Sequence, residues 1–269
     1  MPMSDSHRSR ALITIAALAM LAAGCNSAPK APEQQPRITP PQQPQASAAE
    51  RARMHTELAG GYYERAQMDI AIEELNLAVK TDPGYAPAYN VYGLVYAVLG
   101  DDQKAVQNFE RALALAPNDS EIHHNWGWYL CEHKREREAL EQFEIAVRNS
   151  LYRTPEIALV NAGRCAQTIG EIRVAESYFR RALGAQPGNA LASYGVALIA
   201  YKEARYEEAR RWMRAVMQTT TPPPEAIYLG VCIERKLGDR QAELSYSSQL
   251  RNRFPDATET KALTTEACE

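Results

Sequence analysis

APAYNVYGLVYAVLGDDQKAVQNFERALALAPND, residues 86–119, contains two apolar-periodic halves separated by Gly100-Asp101 and closed by Pro117. Large residues stand at Tyr89 and Tyr92, a small one at Gly93 and an aromatic at Tyr96. The second half repeats the alternation with Ala105, Phe109 and Ala112. Spacings of three and four residues put these side chains on one face of a helix. Glycine supplies the left-handed conformation that caps a helix, and proline, lacking an amide hydrogen, cannot continue one. The stretch therefore predicts a helix, a turn and a second, antiparallel helix.

Outward from this copy the register persists at a period of about 34 residues. Copies start at Ala52, Ala86, Ser120, Glu156, Ala190 and Pro223, in steps of 34, 34, 36, 34 and 33. The small residue of each first helix falls at Ala59, Gly93, Gly127, Gly163, Ala197 and Gly230. That of each second helix falls at Ala71, Ala105, Ala139, Ala175, Ala209 and Ala242. Two helices approach closely only where side chains are small, with bulky neighbours filling the space beside the crossing. Pro83, Pro117 and Pro187 close three units, and Gly100, Gly170 and Gly238 mark the turns within units. Residues Tyr152 to Pro155 and Thr219 to Pro224 are expected to be irregular joints.

The length and order of these positions resemble the tetratricopeptide repeat. The fold class expected is all-α, a superhelix of about six helix-turn-helix units over 51–256 (52–85, 86–119, 120–153, 156–189, 190–222 and 223–256). Residues 257–269 would form a C-terminal capping segment or tail. The resemblance implies that the first helices line a concave groove. By its pattern the groove residues are Tyr63, Asn90, Leu94, Ala97, His124, Trp128, Arg164, Gln167, Tyr194, Leu198, Tyr201 and Arg235. Aromatic and arginine anchors of this kind suit a protein interface. The alternative is that some of them, Trp128 and Tyr201 especially, only pack between neighbouring helices.

The N-terminus says where the chain goes. His7, Arg8 and Arg10 precede the stretch Ala11–Ala23, in which only Thr14 is polar, and small residues follow before Cys25. This is a secretory signal over 1–24, too short for a membrane span. Leu21-Ala22-Ala23-Gly24-Cys25 resembles a lipobox, which implies cleavage before Cys25 and lipidation of that cysteine. Several acyl chains at about 0.8 kcal/mol per buried methylene make a stable membrane anchor. Asn26, where inner-membrane lipoproteins carry Asp, favours the outer membrane on its periplasmic face. The alternatives are an inner-membrane anchor or a soluble periplasmic protein. Residues 25–50, rich in Pro, Gln and Ala, bury too little apolar surface to fold and read as a disordered tether.

Composition excludes several function classes. The net charge is −3, and losing Arg8, Arg10 and Asp5 with the signal leaves 28 Lys+Arg against 32 Asp+Glu. No basic excess exists to bind nucleic acid. There is no phosphate loop, no G-x-S-x-G and no H-E-x-x-H, so no enzyme, cofactor or small-molecule substrate is expected. His123, His124, Cys131 and His133 crowd one helix but lack a ligand spacing, so no metal is expected.

Four cysteines remain after Cys25, an even number in an exported chain, and they permit three pairings. Cys131 and Cys165 lie near the same height on the first helices of adjacent units. Cys268 follows Thr258–Ala267, a segment able to fold back onto the last unit's first helix, where Cys232 sits. The pairings expected are Cys131 with Cys165 and Cys232 with Cys268, the alternative being buried free thiols.

The segments NWGWYLCEHKREREALEQFEIAV (residues 125–147) and TPEIALVNAGRC (residues 154–165), with the lipobox and the repeats, resemble the type IV pilus biogenesis/stability lipoprotein (pilotin) family. The residues that carry the likeness are Asn125, Gly127, Trp128, Tyr129, Leu130, Cys131, Asn161, Ala162, Gly163 and Cys165. The resemblance implies binding of the outer-membrane secretin that forms the pilus exit pore, and promotion of its localisation, multimerisation or stability. A general periplasmic tetratricopeptide scaffold for envelope, export or cell-wall machinery is the other reading.

Overall fold

The computed structural model describes residues 46–264 and Cys268. The signal segment, Cys25 and the tether up to Gln45 lie outside the described residues.

Thirteen helices follow one another, and the described residues contain no strand. They are α1 (Ala48–Glu64), α2 (Met68–Thr81), α3 (Ala86–Leu99), α4 (Asp102–Leu115), α5 (Ser120–Glu132), α6 (Glu136–Arg148) and α7 (Pro155–Thr168). Then come α8 (Ile172–Ala185), α9 (Ala190–Lys202), α10 (Tyr206–Met217), α11 (Pro224–Leu237), α12 (Arg240–Arg253) and the short α13 (Thr258–Ala262). The chain is a run of consecutive helix-turn-helix pairs, α1/α2 through α11/α12, with α13 against α11 and α12. Each odd-numbered helix from α1 to α11 packs its backbone close to the next odd-numbered one, whereas the even-numbered helices stand farther apart and meet through long side chains, as in the Arg181–Glu144 and Arg180–Glu208 ion pairs. The odd row is therefore the tighter, inner side of the stack.

Local chemistry sets the helix ends. Asp101, Asp119, Asn189 and Asp239 accept backbone N–H bonds at the starts of α4, α5, α9 and α12, satisfying otherwise orphaned donors. Prolines occupy the first turns of α3, α7 and α11, where no amide partner is needed. Helix α1 begins three residues ahead of the expected boundary at 51. Ser47 and Glu50 form a reciprocal capping box that draws Ala48–Glu50 out of the tether and into its first turn. The cap expected over Thr258–Ala267 is helical only for the five residues of α13, and residues 265–267 lie outside the described ones.

The core is a series of small-to-large locks within the helix pairs. A methyl group added to Gly93 would stand 2.7 Å from the Phe109 ring, one on Gly163 2.7 Å from Phe179, and one on Gly127 3.1 Å from Phe143. Each ring lies sixteen residues beyond its glycine, and all three are at most 1% exposed. The same spacing in the other pairs gives Ala59 with Leu75, Ala197 with Met213 and Gly230 with Tyr246. Glycine thus faces an aromatic ring, while alanine is matched by an aliphatic side chain in the same cluster. The summed volume at the crossing is held near constant, as close packing demands.

The turns inside the pairs divide by residue. Gly100, Gly170 and Gly238 take φ of +74°, +74° and +77°. In the alternate pairs Ala66, Lys134 and Ala204 adopt φ near +59°, a conformation that costs an L side chain about 1–2 kcal/mol.

Two expected outcomes follow from these contacts, both measured by urea or thermal unfolding. Gly163→Ala should destabilise by about 1–3 kcal/mol through overpacking, outweighing the gain of about 1 kcal/mol in helix propensity. Phe179→Leu in the same chain should recover part of that loss, and additive effects would contradict the lock. Separately, Ala204→Gly should raise stability by up to about 1 kcal/mol and Gly100→Ala lower it by a similar amount.

Candidate functional site

The inner row carries three cavities whose walls are shared. The first, about 420 Å³, lies between α5 and α7 and is lined by Trp128, Asn161, Arg164, Gln167 and the Cys131 and Cys165 pair. The second, about 510 Å³, continues from Arg164 and Gln167 to Leu191, Tyr194, Leu198 and Glu225 on α9 and α11. The third, about 270 Å³, runs from Tyr194 and Leu198 to Tyr201, Tyr228 and Cys268. Together they make one groove crossing α5, α7, α9 and α11.

Six of the residues expected from the repeat pattern line it: Trp128, Arg164, Gln167, Tyr194, Leu198 and Tyr201. Each stands where a first helix turns its exposed stripe toward the inner side. Trp128 rests one flank on the central core cluster and presents the other to the cavity, so its packing and its lining position coexist. Arg164 is exposed, and among the described residues it has no ion-pair or hydrogen-bond partner.

The remaining expected residues lie outside these three cavities. Tyr63 packs against the first core cluster, and Leu94 and Ala97 pack against the central one. Asn90 is only 5% exposed, and its Oδ1 has no hydrogen-bond partner among the described residues. Arg235 is held by the carboxylate of Glu243, 2.9 Å away. Burial pushes that carboxyl up, but the hydrogen bonds from Arg235 and Arg240 outweigh it and keep Glu243 below the usual range.

His124 is enclosed between units. Asn161 Nδ2 donates to His124 Nε2 at 2.9 Å, so the proton of the neutral ring sits on Nδ1 and is donated to Tyr152 Oη at 3.0 Å. Phe143 stands 6.0 Å away, centroid to centroid. Burial pushes this imidazole down to about 4. The other histidines of α5 and its end are also engaged: His123 with Gln142 and the Pro117 carbonyl, His133 with Asp102 and the Tyr129 carbonyl.

Two disulfides are present. Cys131 joins Cys165 with Cα atoms 5.9 Å apart, cross-linking α5 to α7 in the groove floor. Cys232 joins Cys268 at 5.4 Å, tying the C-terminus to α11. Closing a loop of 34 residues is worth about 4 kcal/mol in the chain-entropy account.

The repeat pattern did not single out Asn161, Leu191, Glu225 or Tyr228 as groove residues. Leu191, 64% exposed, stands at the second residue of α9, and Ile157, 46% exposed, at the corresponding place in its repeat. Apolar residues at that shared register were the available signal. Among the described residues no helix is long and apolar enough to cross a membrane.

Comparison with known proteins adds the following. The family model described as tetratricopeptide repeat matches residues 66–221. The type IV pilus assembly protein PilF of Pseudomonas aeruginosa is 25% identical over 205 residues, covering 76% of this chain and 81% of that protein. The crystal structure of PilW, described as a widely conserved type IV pilus biogenesis factor, superposes with a TM-score of 0.70 at 29% identity. That superposition covers 79% of this chain and 98% of PilW. A Pseudomonas aeruginosa PilF structure matches in fold, with a TM-score of 0.75 at 24% identity over 81% of this chain and 99% of that one.

The depressed His124 has a consequence for stability. Between pH 6.5 and 4 the unfolded chain's imidazole takes up a proton while the folded one stays neutral, so stability should fall as pH falls through that window. A gap of about 2.5 pH units bounds the loss at roughly 3 kcal/mol. Melting temperatures measured across this range should decline less steeply for His124→Gln than for the parent chain. Parallel slopes would remove His124 as the cause.

Proposed function

We propose a partner-binding role in type IV pilus biogenesis for this chain, which belongs to the tetratricopeptide repeat family and is homologous to the PilF and PilW pilus proteins. In this reading it is a pilotin. It binds a segment of the outer-membrane secretin in the groove of the odd-numbered helices and carries it to the outer membrane on the lipid attached to Cys25. The observation that carries the reading is the continuous groove from Trp128 to Tyr201, with Arg164, which has no ion-pair or hydrogen-bond partner among the described residues, midway between aromatic and aliphatic walls. Such an arrangement fits an extended chain presenting apolar side chains and a carboxylate or carbonyl at the centre. The work done is binding rather than bond-making.

Lipid anchoring supplies what a modest groove affinity lacks. Confining the protein to the membrane where the pore assembles raises the effective concentration of secretin segments around it. The proline-rich tether, at about 3 Å per residue when extended, lets the folded repeats reach partners standing off the bilayer.

The test is affinity capture from detergent-solubilised outer membranes with the lipidated chain as bait and mass spectrometry as readout. A secretin should be the main protein recovered. Trp128→Ala with Arg164→Ala should lower that recovery at least tenfold while the far-UV helical signal is retained and the melting temperature falls only by the packing Trp128 loses against the core, since truncating interface anchors commonly costs about 2 kcal/mol or more. Cys25→Ser should abolish membrane localisation of the chain in cells. Recovery of export or cell-wall machinery without a secretin would overturn the pilotin role, and undiminished capture by the double variant would overturn the groove.

A further inference from the structure

We propose that the second cavity of the groove is an anchor pocket for one large apolar side chain of a partner segment, and that this segment places a carboxylate at Arg164 and a basic side chain at Glu225. The occupant is a bipolar peptide, acidic on one side of its apolar anchor and basic on the other. The inference rests on the odd-helix groove being the binding face.

One residue and one joint make the pocket. The place in the repeat held by Asn125 in α5, Asn161 in α7 and Tyr228 in α11 is Gly195 in α9. A methyl group there would stand 2.6 Å from the Phe179 ring, so the cavity reaches down to that ring only because the side chain is missing. The joint ahead of α11 is residues 218–223, longer than the joints 82–85, 116–119 and 186–189 ahead of α3, α5 and α9. Its Thr219, Thr221 and Pro223 form one wall, and Leu191, Tyr194 and Leu198 form the other. An aromatic floor between largely apolar walls suits the buried side chain that dominates an interface.

The two rims carry opposite charge. Arg164 on α7 and Glu225 on α11 are exposed, both line the cavity, and neither forms an ion pair or hydrogen bond among the described residues. Glu259 adds to the acidic side: burial pushes the Tyr194 phenol up, and the charges of Glu225 and Glu259 push it further. Of the three cavities, Lys202 lines only the third. The rims are separated by α9, hence by two helix-to-helix steps of about 8–10 Å each. An extended strand, rising about 3.3 Å per residue, crosses that distance in roughly five or six residues. A segment with its acid and base exchanged would meet like charge at both rims and be rejected. The apolar floor thus supplies affinity, and the rims fix which way the segment lies.

A phage-displayed library of random dodecapeptides, panned on the full chain, tests this without any secretin. Enriched peptides should share an acidic and a basic residue roughly five or six positions apart, with a large apolar residue between them. Arg164→Glu should turn the acidic preference basic, and Glu225→Arg should turn the basic one acidic. By fluorescence anisotropy, peptides selected on the parent chain should bind each of these variants, and Leu191→Gln, at least tenfold more weakly. Melting temperatures should hold, because all three side chains are exposed, Leu191 by 64%. No enriched motif, or a motif that the charge variants leave unaltered, would overturn the proposal. So would self-association of the chain that Leu191→Gln abolishes, since the occupant would then be a second copy. A secretin captured from membranes alongside an unaltered motif would leave the pilotin role standing and remove this one. A bipolar motif with no secretin captured would do the reverse.

Discussion

The close approach of paired helices is the constraint on which the rest of this structure depends. A benzyl ring fits between two backbones only where the facing residue has no side chain, and the rings of Phe109, Phe143 and Phe179 each stand over a glycine. Where alanine replaces glycine, at Ala59 and Ala197, the sixteenth residue onward is aliphatic instead. Repetition of this lock holds each pair rigid at nearly the same geometry. Pairs of nearly constant geometry stack regularly, and the regular stack brings the odd-numbered helices together along one side.

Stacking has a second consequence for the groove. Repeats contact only their neighbours, so stability is local and each junction must be secured for itself. Two junctions in the middle of the array are secured in this way. Between the third and fourth repeats the Cys131–Cys165 bond links α5 to α7 and the His124 ring bridges Tyr152 and Asn161, and between the second and third the rings of Phe109, Trp126 and Tyr129 pack together. The groove floor is thereby pre-organised, which limits the ordering cost that a bound segment would otherwise face. Trp128 and Arg164 stand on that rigid floor rather than on loops.

The end of the array is secured by charge as well as by packing. Glu234 and Glu243, each 5% exposed, are held by Arg210 and by Arg235 with Arg240. A buried carboxylate requires such partners, because leaving it unpaired costs several kcal/mol. Arg235 is committed to this pairing, which explains why a residue at a groove-facing register lines none of the three cavities.

The helix-turn-helix period, the small residues at the crossings and the proline and glycine punctuation were all legible in the sequence, because each is a local demand of backbone geometry that recurs along the array. So were six of the groove residues, since a 34-residue register carries a face from one unit to the next. The roles of Asn90, His124 and Arg235 were not legible. Their register is that of the groove, but whether a side chain at that register lines a cavity, fills a core or meets an ion partner depends on residues far along the chain: Asn161 and Tyr152 for His124, Glu243 for Arg235. Periodicity assigns a direction to a side chain. Only the packing of one repeat on the next decides what that side chain meets.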